Sequence, residues 1–291
     1  MATPLPFAFL NGQLLPLAEA RISPLDRGFL FGDAVYEVIP VYNGRPFLEP
    51  EHLMRLERSL REMSIPNPHG RDGWRRIIAD LIAQNGAVDQ NVYIQVSRGA
   101  EDTRNHAMPD GLTPTIFMMA TPAISEDPAV IAKGVRAITI ADPRWKRCDI
   151  KSTALLGNVF AKTAAVKADA LEAILIADGE LREGASSSVL VGLGATVYAP
   201  PYGPEILPGT TRDLCLKLAA AAGIEVCIET ITEAMLLRAD ELMLGFATRG
   251  VIPVTQLDGK PVGTGEPGPL WKKIYSAFRE YRQTVADKKE A

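Results

Sequence analysis

Residues 34–42, AVYEVIPVY, alternate in the manner of a β-strand, whose successive side chains leave the backbone on opposite faces. Asn43 and Gly44 follow at once and supply the positive-φ residues that a tight turn needs, so the strand must reverse. The period then changes. In residues 49–63, EPEHLMRLERSLREM, the side chains Leu53, Leu56, Leu60 and Met63 recur at spacings of three and four and make one apolar helical stripe. A second helix is expected over 73–84. A strand at 92–99 (VYIQVSRG), a polar loop at 100–111 and an apolar strand at 113–120 complete the first half.

Residues 121–130, TPAISEDPAV, combine prolines, charge and small side chains between apolar runs, as a linker does. Beyond it, EAILIADGELREGASSSVLVG (172–192) reads as a strand, an Asp178-Gly179 turn and a return strand interrupted at 182–186. Helices are expected over 211–222, 233–239 and 269–286, and strands around 241–246 and 252–257. The expected class is α+β, with strand and helix mixed in both halves. For 291 residues a length prior gives about two domains. They are placed at 1–122 and 131–291, joined by a linker at 123–130.

Composition excludes several classes. A net charge of −4 supplies no basic field for a nucleic-acid backbone. No apolar run is long enough for a bilayer, and the opening residues MATPLPFAFLNG lack the basic lead and apolar core of a signal peptide. Three cysteines form neither a disulfide framework nor a zinc spacing, which favours a reducing compartment, the cytoplasm by default. His52 and His69 have no partners at metal spacing, so no metal site is expected.

Lys151, in RCDIKSTALLGN, has the apolar neighbours that would desolvate an amine, as a Schiff-base lysine requires; the ordinary alternative is a surface lysine with its stem on apolar residues. Glu183 precedes Gly184, Ala185 and three serines, side chains small enough for a flat ring to approach; it also reads as an exposed loop acid. Gly209, Thr210 and Thr211 open a helix whose amides can receive an anion, although most helix ends hold none. Arg55 can clamp a phosphate or face solvent. Arg104 and His106, two apart in a polar loop, can present donors to a carboxylate or simply be solvated. Tyr36 on the alternating strand reads first as core.

Taken in order, DRGFLFGDAVYEV (26–38), EHLMRL around Arg55, RNH (104–106), DIKS around Lys151, REGASSS around Glu183, ILPGTTR up to Arg212 and VIPVTQLDG (251–259) resemble the class IV aminotransferases. That family includes branched-chain and D-amino acid aminotransferases and aminodeoxychorismate lyases. The resemblance spans almost the whole chain. It implies the two-domain fold-type IV architecture of pyridoxal 5′-phosphate enzymes: a smaller N-terminal α/β domain, a larger C-terminal domain with a β-barrel-like core that carries the cofactor lysine, and the cofactor between them.

By this resemblance Lys151 binds the cofactor and shuttles a proton, while Glu183 holds the pyridine nitrogen protonated. Arg55, Gly209, Thr210, Thr211, Ala247 and Thr248 form the phosphate cup, and Ser186, Ser187 and Leu207 belong to the cofactor-binding set. The Arg-x-His loop resembles the D-amino acid enzymes, which implies that Tyr36, Arg104 and His106 take the substrate carboxylate. In that family the loop reaches a neighbouring subunit, so a homodimer acting on small amino acids and 2-oxo acids is implied, with neither nucleic acid nor membrane as partner. Phe246, Ala247, Gly250 and Ser188 depart from the hydroxyls, glutamate and asparagine that relatives commonly carry there. The alternatives within the family are branched-chain L-amino acid transamination, (R)-amine transamination and the lyase reaction; a non-catalytic binding protein is the alternative outside it.

Overall fold

Asn11 and Gly12, both at positive φ, turn β1 (Phe7–Leu10) into β2 (Gln13–Pro16). This is a computed structural model of the chain, and it describes residues 3–86, 88–123 and 127–287. Residues 124–126 of the expected linker lie outside the described residues. Contacts divide the chain into two units: Met1–Ile124 with Ile150–Ala154 and Val285–Ala291, and Ser125–Asp149 with Leu155–Thr284.

In the first unit α1 (Arg27–Phe31) starts where the Asp26 carboxylate accepts from the Gly28 amide at 2.8 Å, and stops at Gly32 in the left-handed region. β3 (Ala34–Tyr42) and β4 (Arg45–Pro46) follow, turned by Asn43 and Gly44 at φ 51° and 74° as their pairing suggests. Next come α2 (Glu49–Glu62), α3 (Arg71–Asn85), β5 (Gln90–Ser97) and β6 (Thr115–Pro122). The six strands form one antiparallel sheet in the order β2-β1-β6-β5-β3-β4. Leu53, Leu56 and Leu60 of α2, with Trp74, Ile78 and Leu81 of α3, bury against the sheet. The α2 stripe is the one that the three-and-four spacing predicts. On β3 the wholly buried series is Val35, Glu37, Ile39 and Val41, so a carboxylate falls in the core-facing register.

Lys151 was expected in the C-terminal domain, but residues 150–154 belong to the first unit. The reason is strand pairing. The Tyr36 amide donates to Lys151 O at 2.9 Å and the Thr153 amide to Ala34 O at 3.0 Å, so this segment lies along β3 through an antiparallel bridge at Val35 and Ser152.

The second unit contains α4 (Pro128–Lys133), β7 (Val135–Ala141), α5 (Leu156–Lys167), β8 (Glu172–Ala177), β9 (Glu180–Gly184), β10 (Ser188–Leu193), β11 (Thr196–Ala199) and α6 (Thr210–Ala221). β12 (Glu225–Ile228), α7 (Glu233–Leu237), β13 (Glu241–Phe246), β14 (Gly250–Leu257), β15 (Lys260–Pro261) and α8 (Pro269–Asp287) complete it. Its mixed sheet runs β12-β11-β10-β13-β14-β7-β8-β9, with β15 on β14. β9 is an edge of that order, yet three residues later the chain enters β10, near the other edge, and β9 and β10 are in contact. The sheet therefore curls, as a barrel-like core requires. The fold is mixed α/β throughout. No described helix is long and apolar enough to cross a membrane.

Gly99, two residues beyond β5, has φ 112°, its carbonyl accepts from the Arg27 amide at 2.9 Å, and a Cβ there would stand 2.1 Å from Thr113 O. Gly99→Ala is expected to destabilise the protein by about 1–3 kcal/mol, measured as a lowered urea midpoint; an unchanged midpoint contradicts this account of the turn.

Candidate active site

Glu37 cannot be buried as an uncompensated charge, and α2 supplies the compensation. Arg55 Nε donates to Glu37 Oε1 at 2.6 Å and Arg55 Nη2 to Oε2 at 2.9 Å, while His52 Nδ1 lies 2.8 Å from Oε2. Burial pushes the Glu37 carboxyl up, but Arg55 and His52 outweigh it and hold it well below the usual carboxylate range. Burial pushes His52 down, and the Arg55 and Lys151 cations add to it against the pull of Glu37, so it is a neutral imidazole donating its Nδ1 proton. Arg55, expected at a phosphate, is thus a buried member of an ion pair.

Lys151 is fixed at its backbone on two sides, since its amide also donates to Ser59 Oγ of α2 at 3.2 Å. Its Nζ stands 4.2 Å from the centre of the Tyr36 ring, which stacks on Tyr93 at 5.7 Å. Tyr36 is on the sheet face opposite Glu37, because the two are successive strand residues. Lys151 and Tyr36 are therefore brought together. Arg104 and His106 are not brought to them. Both are exposed, and both meet Phe31, with the guanidinium 5.1 Å and the imidazole 5.3 Å from the ring centre. Among the described residues no hydrogen bond, ion pair or ring contact joins Tyr36 to either, and Arg104 is in no ion pair.

In the second unit Glu183 ends β9, where Arg144 Nη1 donates to its Oε1 and the Leu207 amide donates to the same oxygen at 3.2 Å. Arg144 is held in turn by Asp142, through Nε at 2.9 Å and Nη2 at 2.8 Å. Burial pushes Arg144 down, but Asp142 and Glu183 outweigh it and hold it above its ordinary value, so the cation is permanent. Leu207 leads directly into α6. Its cap is Gly209, which has no side chain to bond the first-turn amides, and a Cβ there would meet Ser188 Oγ at 2.3 Å. Gly245, near the end of β13, lies against Thr211, and residues 247–249 turn directly after that strand. Glu183, Leu207, the α6 start and the Ala247–Thr248 turn thus gather at one end of the curled sheet. The Thr211 and Thr248 hydroxyls have no hydrogen-bond partner among the described residues. Ser186 and Ser187 instead donate to Glu172, at 2.7 and 3.0 Å, a wholly buried acid on β8.

Glu37, Arg144 and Glu172 are not singled out by the sequence, and His52, considered there only as a metal ligand, pairs with Glu37. Glu37 did carry a signal, as the one acid in the period-two series of β3. Arg144 carried none, because Glu183 is 39 positions away and is brought to it only by folding.

A family model described as Amino-transferase class IV matches residues 34–257. A D-alanine aminotransferase of Bacillus licheniformis is 40% identical over 92% of this chain and 94% of its own length. One from Staphylococcus aureus (strain COL) is 36% identical over 94% of this chain and 96% of its own. Among solved structures, a branched-chain amino acid aminotransferase of Escherichia coli superposes with a TM-score of 0.88 at 25% identity, covering 95% of this chain and 94% of that one. Another such enzyme, of T.th. and with pyridoxamine 5′-phosphate, has a TM-score of 0.89 at 24% identity, covering 98% and 95%.

Glu37 and Asp33 are carboxylates held below their free values, and His52 is a base held below its own. Each adds stability that is complete above the free value, about 4 for the acids and 6.5 for the imidazole, and is lost as pH falls. Glu37→Gln leaves Arg55 buried without its anion, a loss of about 3–5 kcal/mol near neutral pH. The gap in unfolding free energy between the parent and Glu37→Gln is expected to narrow as pH falls below about 4; a gap constant from pH 8 to 3 contradicts the assignment.

Proposed function

The chain belongs to the class IV aminotransferases, and we propose on that premise that its amino donor is a D-amino acid of the D-alanine or D-glutamate type. The reaction is ping-pong transamination with pyridoxal phosphate, between amino acids and 2-oxo acids. The D-preference is supported first by two relatives named D-alanine aminotransferase, 36–40% identical over more than nine-tenths of this chain. The likeness to branched-chain enzymes, at 24–25% identity, speaks for the fold.

The residues present fit the cofactor. Uncapped first-turn amides of α6, with the Thr211 and Thr248 hydroxyls, are the donor set a phosphate dianion needs. Glu183, kept anionic beside the permanent Arg144 cation, suits a protonated pyridine nitrogen. Arg55, Gly209, Thr210 and Ala247 complete the proposed phosphate cup, and Leu207 presents its amide to Glu183. Ser186 and Ser187, through Glu172, set the small-residue turn after Gly184. When bound, pyridoxal phosphate supplies an electron sink for the carbon that carries the amino group. Lys151 would hold it through Nζ, and in each half-reaction the same amine would move one proton between the substrate α-carbon and the cofactor. Tyr36, Arg104 and His106 bind the substrate carboxylate. Because Arg104 and His106 stand apart from Tyr36 within one chain and face solvent, we assign them to the site of a second copy in a homodimer. A cytoplasmic location fits the three free cysteines.

Lys151→Ala is expected to abolish the visible absorption of the bound cofactor and to lower the transamination rate by about 10²- to 10⁴-fold or more. D-Alanine with 2-oxoglutarate is expected to turn over far faster than L-leucine; L-leucine turnover with none of D-alanine would sink the D-amino acid reading.

A further inference from the structure

Arg27 and Arg98 have no part in the reaction above, yet both are almost wholly buried. Both bond one carboxylate: Arg27 Nε and Arg98 Nε each donate to Asp33 Oδ2 at 2.8 Å, and Arg98 Nη2 donates to Oδ1 at 3.0 Å. The remaining donors turn to the polar loop. Arg27 Nη1 reaches Glu101 Oε1 at 2.5 Å and Asn105 O at 2.7 Å, and Arg98 Nη2 reaches Met108 Sδ at 3.5 Å. Arg98 also bonds Met63 O at 2.7 Å and Ser64 O at 2.9 Å, at the end of α2.

The residue pinned by Arg27 is the one between Arg104 and His106. Beneath all three lies Phe31, which receives Arg27 at 4.8 Å, Arg104 at 5.1 Å and His106 at 5.3 Å. A solvated loop of charged residues needs no such base, because water satisfies its backbone. Here two exposed side chains stand on a carbonyl and a ring that buried charges hold. A guanidinium suits this, since its rigid fork bonds a carboxylate and a carbonyl in one plane while its face covers a ring.

We infer that Arg27 is a positioning residue for the substrate carboxylate: by holding Asn105 O and backing Phe31 it sets where Arg104 and His106 point, with Asp33 coupling it to Arg98. This rests on Arg104 and His106 being carboxylate ligands. Arg98 braces the assembly against α2, whereas Arg27 alone of the two bonds the backbone between the ligands.

The test compares holoenzymes of Arg27→Lys, Phe31→Leu and Arg104→Ala in steady-state transamination of D-alanine with 2-oxoglutarate. Lysine keeps the charge beside Asp33 but lacks the fork. Phe31→Leu leaves every ion pair in place, and decides the matter if Arg27→Lys does not fold. Misplacing the ligands is expected to raise the KM for D-alanine about 10- to 100-fold in both variants, as in Arg104→Ala, with a smaller change in kcat and an unaltered cofactor absorption band. A normal KM in both beside a raised KM in Arg104→Ala overturns the positioning role and leaves the carboxylate reading standing. A normal KM in Arg104→Ala overturns both. A fall in thermal midpoint and kcat at constant KM makes Arg27 structural only and also overturns the inference.

Discussion

Glu37 occupies a core position on β3, and an isolated carboxylate there costs more than the hydrophobic contacts around it return. Its partners Arg55 and His52 come from α2, so the helix can settle on the sheet only where both reach the acid. The remaining contacts of α2 follow from that register. Ser59, one turn beyond Arg55, receives the Lys151 amide, and the end of the helix receives Arg98. Hydrophobic burial by Leu53, Leu56 and Leu60 supplies attraction but tolerates sliding; the ion pair supplies the position. Lys151 is therefore placed by an acid on the opposite sheet face from the ring that its own side chain touches.

The second unit solves a similar problem with a different outcome. Glu172 and Glu183 are both buried acids near one turn, but Glu172 takes mainly hydroxyl and amide donors while Glu183 takes a guanidinium. The serines satisfy Glu172 and so shape the backbone after Gly184. Arg144 favours the anionic form of Glu183, and Asp142 divides the guanidinium between two carboxylates.

Much of the fold was legible because period and punctuation agreed. β3 with its Asn43-Gly44 turn, the α2 stripe and the Asp178-Gly179 turn were legible from spacing, whereas the interruption expected at 182–186 falls at 185–187, because residues 182–184 still pair within β9. The omissions have physical causes. β1 and β2 are four residues each, too short to show alternation, and their Asn11-Gly12 turn was passed over. α5 has no capping side chain, begins with Leu156-Gly157 and leaves Leu156, Val159 and Phe160 exposed, so its apolar residues mark no single buried face. The candidate site was legible only where neighbours in the chain make one local feature, as Gly209, Thr210 and Thr211 make the start of α6. It was illegible where partners lie far apart in sequence: Arg144 to Glu183 spans 39 positions and Glu37 to His52 spans 15. Lys151 falls with the first unit for the same reason, since its segment pairs with β3.

The loop at 101–108 shows why exposure and rigidity are separate properties. Its tips, Arg104 and His106, are solvated, which spares the free protein the cost of burying charge before a ligand arrives. Its base is tied at Glu101, Asn105 and Met108 to arginines that are themselves locked on Asp33. A ligand carboxylate meeting such tips pays little backbone entropy, because the chain between them is already ordered. Orientation is then set by the first unit's folding energy instead of by binding energy, and discrimination between mirror-image substrates depends on orientation more than on charge.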